Sequence, residues 1–236
     1  MAIAAKVRCK VKRIVDHGGR VYTVELLPER KVPHFLPGQF LHLAIDEYDP
    51  AEFWPDSRVF SIASAPAQRD LLHITYVVIG QFTKRMESEL RPGAEVWIKL
   101  PYGEFIVRTA ASACLLAGGT GMTAFTAFLA GLGADYVHSV YLFYGARRPD
   151  LLIYRPLVES AAAHCYNLHS YFLVEEGESP GCISGRINLD QIWQTIPDPQ
   201  AVTYYLSGPP IMLKTLSAAL ADRRIPTTRI LTDAWE

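Results

Sequence analysis

Cysteine is scarce in this chain, and the four that occur stand apart: Cys9, Cys114, Cys165 and Cys182 include no C-x-x-C pair. That spacing argues against a zinc ribbon or a thiol redox motif, and it rules out the four closely spaced thiolates of an iron-sulfur cluster. An excess of one charge is lacking too. The 23 basic and 24 acidic residues leave a net charge of -1, so nothing in the balance asks for nucleic acid or an anionic membrane. Charged side chains are missing altogether between residues 109 and 134, a length that would span a bilayer. Gly118, Gly119, Gly121, Gly131 and Gly133 interrupt that run, however, and Ala, Thr and Ser form its bulk, so no membrane span is expected.

The remaining composition is that of a globular protein. Half of the 236 residues are hydrophobic and a fifth are charged, enough for one large domain or two small ones with ample core. Lys6, Arg8 and Lys10 break the opening MAIAAKVRCK before an apolar region can form, which is unlike a secretory signal and points to a cytoplasmic protein. His164, Cys165 and His169 lie near one another in sequence at no metal-binding spacing and are expected to be structural, so no metal site is assigned.

Two kinds of periodicity divide the chain. In the first half, Lys6, Arg8, Lys10 and Lys12 alternate with Val7, Cys9 and Val11, the period of a strand with one wet face. A turn at Asp16–Gly19 and a strand over Val21–Leu26 complete a hairpin, and further strands are expected at 39–45, 58–64, 72–79 and 95–100. A loop is expected over Asp46–Asp56 and a short helix over Thr83–Leu90, so that some six strands form a small antiparallel barrel ending near Val107. From about Ala110 strands alternate with helices: strands at 113–117, 139–144, 170–174 and 202–206, helices at 123–132, 151–163, 188–195 and 211–221. That order means a parallel, doubly wound sheet, and the domains are drawn at 1–109 and 110–236.

Within the second half, Leu115–Phe125 reads LLAGGTGMTAF, an apolar strand, a glycine turn and a helix start. Glycines let the backbone approach a ligand, and unpaired N–H groups at a helix start carry partial positive charge, so the turn suits the pyrophosphate of a dinucleotide. GGTG is not the six-residue G-x-G-x-x-G fingerprint, and alone it is a weak signal.

Several patches taken together carry more. Pro37-Gly38-Gln39-Phe40, Arg58-Val59-Phe60-Ser61, Gly80-Gln81-Phe82-Thr83, Pro101-Tyr102-Gly103-Glu104-Phe105, Ala117-Gly118-Gly119-Thr120-Gly121-Met122-Thr123, Tyr144-Gly145-Ala146-Arg147 and Ser207-Gly208-Pro209-Pro210 follow one another in register over nearly the whole chain. In that order they resemble the ferredoxin-NADP reductase superfamily of flavin- and pyridine-nucleotide-binding reductases. The resemblance implies an FAD-holding barrel followed by a domain for NADH or NADPH. Arg58 would pair with the FAD pyrophosphate, Val59 would share its strand, Phe60 would pack on the flavin and Ser61 would bond near flavin N5. Main-chain groups of Val77 to Ile79 would face the flavin or its ribityl chain, and Thr83 the diphosphate. Gly118, Gly119, Thr120, Gly121 and Thr123 would hold the nicotinamide nucleotide, Arg147 would lie near its adenosine half, and Gly208 and Pro209 beside the nicotinamide.

The chain departs from that pattern in places. Ser207 stands where relatives usually have Cys, and the tail residues Asp233 and Trp235 only loosely resemble the family ending in which an acid and an aromatic approach the flavin. Glu175 and Glu176 lean towards NADH, whereas Arg147 and Arg148 would serve a 2′-phosphate. The implied activity is hydride transfer from NAD(P)H to FAD N5, with electrons passed to a protein acceptor such as a ferredoxin or an oxygenase component. A flavin reductase using diffusible flavin and a non-catalytic flavin-binding subunit remain open beside it. The basic face at Lys6–Lys12 is expected to be solvated rather than a docking site for an acidic carrier.

Overall fold

The alternating charged and apolar side chains at the start of the chain form β1 (Ala5–Asp16), in which Val7, Cys9 and Val11 are fully buried while the basic residues between them face out. A computed structural model describes residues 4–108 and 110–233, and the chain divides into two units, Met1–Ile106 and Val107–Glu236. The first unit continues with β2 (Val21–Pro28), β3 (Phe40–Ala44), β4 (Arg58–Ser61), β5 (Leu72–Val77), α1 (Gln81–Glu89) and β6 (Glu95–Tyr102). These strands pair antiparallel in the order β4-β3-β6-β1-β2-β5. The two ends of the sheet meet where Ala63 N–H donates to His73 O at 2.9 Å, so the sheet is a nearly closed barrel.

Local chemistry explains where these elements stop. β4 is shorter than its alternation predicts because, after Ile62 N–H bonds Gln39 O beside β3, Ala63 N–H turns to His73 O, which takes the chain off its first partner strand. β5 ends at Val77 rather than Ile79 because its partner β2 starts only at Val21; Val78 N–H still reaches Arg20 O, but Ile79 N–H turns to the Thr83 hydroxyl. That hydroxyl also accepts from Gly80 N–H at 3.1 Å, which starts α1 two residues before the predicted Thr83. On β1, Arg8 pairs with Glu29 and Glu95, and Lys12 and Arg13 with Glu25, so much of the basic face is exposed but neutralised.

The second unit holds β7 (Ala113–Gly118), α2 (Thr123–Leu129), β8 (Val140–Ala146), α3 (Arg155–His164), β9 (Leu168–Val174), β10 (Cys182–Ser184), α4 (Leu189–Thr195), β11 (Thr203–Ser207), α5 (Pro210–Asp222) and β12 (Ile230–Thr232). All six strands are parallel, in the order β10-β9-β8-β7-β11-β12. β7 is buried along its whole length, which accounts for the uncharged run. Cys114 and Leu116 pack with α4 and α5 residues Ile192, Leu213, Leu216 and Leu220, while the intervening Leu115 and Ala117 are buried on the opposite face. Among the described residues no helix is long and apolar enough to cross a membrane. α3 begins at Arg155 rather than Leu151 because Pro156 fits only a first helical turn, and residues 149–151 form a 3-10 turn instead. β10 and β12 were not predicted; three residues are too few for a period of two to show.

Replacing Thr83 by Val removes the hydroxyl that both Ile79 and Gly80 amides use, and should lower stability by about 1–2 kcal/mol in chemical denaturation.

Candidate functional site

In the first unit the expected flavin residues gather at β4 and the start of α1. Arg58 opens β4 and is exposed, with its guanidinium carbon 6.0 Å from the centre of the Phe82 ring on the first turn of α1. Phe60 is half-buried at the edge of the barrel core, its ring 6.1 Å from that of Tyr76, and Ser61 is buried. Burial holds the Tyr76 phenol far above its ordinary range, so it stays protonated. Val59 and Val77 are half-buried, whereas Ile79 is 78% exposed directly before Gly80, an apolar surface in want of a cover. Thr83 is differently placed from its expected role. Its hydroxyl accepts from Ile79 and Gly80 N–H and donates to Gly80 O, which uses its hydrogen-bonding capacity. The first-turn N–H groups of Gln81 and Phe82 are the donors left to an anion there.

In the second unit the expected nucleotide residues converge where strand order reverses, between β7 and β11, the switch point at which open parallel sheets bind ligands. Gly118 ends β7, Gly119 to Met122 form a 3-10 turn, and Thr123 starts α2, its hydroxyl donating to Thr120 O at 2.8 Å. Opposite lie Gly208 and Pro209, just after β11. The two loops touch through bare backbone: a Cβ on Gly121 would come within 2.4 Å of Ser207 C and O, and one on Gly208 within 3.0 Å of Gly118 Cα and N. Gly119, at φ +54°, has open space beside it. That leaves room for a diphosphate against the turn.

Ser207 and Asp233, far apart in sequence, are brought together. Ser207 Oγ donates to Asp233 Oδ2 at 2.8 Å, and both residues are buried. Arg147 lies past β8, paired with Glu176 at 2.9 Å; Arg148 pairs with Asp150 and Arg186 with Glu175. Arg186 was missed, because an arginine in a loop carries no periodic signal. Trp235 lies outside the described residues. The cysteines behave as packing groups, with burial pushing the Cys9 and Cys114 thiols well above their ordinary range. His164 bonds Ser160 O, Cys165 is buried and His169 stacks on Tyr141, and no group of three metal-ligating side chains occurs among the described residues.

Comparison with known proteins fits this geometry. Residues 115–218 match the family model described as the oxidoreductase NAD-binding domain. The 2-halobenzoate 1,2-dioxygenase electron transfer component of Burkholderia cepacia is 28% identical over 94% of this chain and 68% of that protein. The reductase component of phenol 2-monooxygenase from Pseudomonas sp. strain CF600 is 30% identical over 65% of this chain and 43% of that protein. In both comparisons the chain is similar to ferredoxin reductase-type flavoprotein reductases.

Solved structures share its fold. The cytochrome P450 reductase of Amycolatopsis superimposes with a TM-score of 0.84 at 20% identity, over 99% of this chain and 70% of that one. The ferredoxin NADP+ reductase of Neisseria gonorrhoeae, solved with FAD and NADP, gives 0.77 at 19% identity over 99% of both chains. The chain spans 41% to 68% of the length of eight curated relatives that it matches.

Ser207→Ala removes one donor from a buried carboxylate and should lower stability by about 1–3 kcal/mol, read from the denaturant midpoint.

Proposed function

We propose that this chain is an FAD-dependent NAD(P)H oxidoreductase that passes electrons to a protein acceptor, a ferredoxin or an oxygenase component. Residues 1–109 take FAD and residues 110–236 the nicotinamide nucleotide. The observation that carries the reading is the glycine-only approach of the Gly118–Thr123 turn to Ser207–Gly208 at the switch point of the parallel sheet. Its relatives named as electron transfer components of dioxygenases support the choice of acceptor. The cytoplasm, where NADH and NADPH are held, is the compartment such chemistry needs.

Bound FAD supplies a ring that takes up a hydride at N5 and gives up its electrons one at a time. The protein's own groups bind and orient. Arg58 and the first-turn N–H groups of α1 hold the diphosphate, and Ile79 and Phe60 cover apolar parts of the cofactor. Gly118, Gly119, Thr120, Gly121 and Thr123 hold the dinucleotide, with Gly208 and Pro209 beside its nicotinamide. Asp233 fixes the Ser207 hydroxyl by accepting its hydrogen bond, so the lone pairs of that oxygen are what Ser207 presents to a neighbour. Each acid at the end of β9 is already paired with an arginine, and NADH is favoured over NADPH because a 2′-phosphate would have to displace Glu176 from Arg147.

Anaerobic stopped-flow mixing of the yellow protein with NADH and with NADPH tests the function. Loss of flavin absorbance with either is the expected result. Bleaching by neither would leave a non-catalytic flavin-binding subunit, and a protein that sheds its colour on desalting yet still turns over added flavin would be a diffusible-flavin reductase. Arg58→Gln should weaken FAD binding about tenfold to a hundredfold, measured by fluorescence titration of the apoprotein.

A further inference from the structure

The loop from β2 to β3 and the loop from β4 to β5 meet around a cavity of about 460 Å³, lined by Lys31, His34, Pro66, Ala67, Arg69 and Asp70. None of these residues takes part in the proposed flavin or nucleotide sites. Arg69 is held rigidly between the loops: its carbonyl accepts from Val32 N–H at 2.9 Å, its Nε–H donates to Val32 O at 2.6 Å, and its Nη1 donates to His34 Nε2 at 2.9 Å. Two of its five guanidinium donors are spent in this way. The remaining N–H groups on Nη1 and Nη2 form the end-on fork that matches an oxyanion.

The neighbours complete the site. A guanidinium only donates, so His34 Nε2 is the acceptor in that contact. Lys31 is exposed, and no ion pair among the described residues involves it or Arg69, in contrast to Arg8, Lys12 and Arg13 on β1. Against two cations the lining holds one carboxylate, Asp70, so the cavity is net positive in a chain whose overall charge is -1. Because Arg69 is already ordered, a ligand does not have to immobilise it. The volume suits a small molecule rather than a bare ion, with Pro66 and Ala67 as its apolar wall.

We propose that this cavity binds a small oxyanion-bearing molecule, a carboxylate or phosphate compound, whose anionic group sits between the Arg69 fork and the Lys31 ammonium. Inorganic phosphate and sodium acetate, titrated separately into the full chain, are the probes. Amide NMR follows residues 31, 32, 34 and 67–70, with sodium chloride at matched ionic strength as the control. At least one probe should give saturable shifts confined to those residues, and the tighter one identifies the oxyanion as phosphate or carboxylate. Lys31→Gln, which removes no structural bond, should weaken that binding about fivefold to tenfold, and Arg69→Lys should weaken it by a similar factor through loss of the fork. Failure of both probes to saturate at tens of millimolar overturns the proposal. So do shifts that chloride reproduces, or unchanged affinity in Lys31→Gln with its remaining spectrum intact. Flavin reduction by NAD(P)H is read separately, so the outcome leaves the oxidoreductase reading standing or falling by its own test.

Discussion

Two loops at the carboxyl ends of neighbouring parallel strands approach so closely in the second unit that no side chain fits between them. At Gly121 even a methyl group would overlap the Ser207 carbonyl and the Gly208 nitrogen, and at Gly118 it would meet Met212 Sδ at 2.7 Å and Pro209 Cδ at 2.9 Å. The overlap at Gly121 is with backbone, which cannot rotate away as a side-chain tip can. The turn after β7 and the turn after β11 are therefore one structure, and the open backbone at Gly119 lies on its surface. Everything assigned to the nicotinamide nucleotide depends on that approach.

Polar groups at the candidate site of each unit are largely committed to holding the protein's own structure. Thr83 caps α1, Thr123 bonds the turn before α2, and Ser207 bonds Asp233 across β11 and the segment after β12. Such bonds place donors and ring-covering surfaces before a ligand arrives, which reduces the ordering that binding must cost. Ion pairs do the same at the end of β9, where the arginines and acids form exposed pairs that bring no more than modest stability.

Much of the architecture was legible in the sequence wherever a periodic pattern ran for five residues or more. The alternation of Lys6 to Lys12, the apolar run of β7 and the Met212, Leu216, Leu220 spacing of α5 each correspond to an element of the expected kind. Elements were lost where pattern had no room: β10 and β12 are three-residue edge strands, and β4 is cut short by hydrogen bonds from another part of the chain. The candidate site followed the same division. Glycine motifs marked the nucleotide turn, since only glycine meets such close backbone contact. Arg186 and the Lys31–Arg69 cavity lie in loops whose meeting depends on tertiary structure, and the full use of the Thr83 hydroxyl within its own turn is a matter of geometry that residue type does not carry.

The most direct measurement of the central claim is nucleotide binding to Gly121→Ala, compared with the unsubstituted protein by titration calorimetry, with bound FAD counted in both. The methyl group must force the two loops apart, so NAD(P)+ affinity should fall by at least about tenfold while FAD content is unchanged. Wild-type nucleotide affinity in a folded, FAD-loaded Gly121→Ala protein would contradict the account.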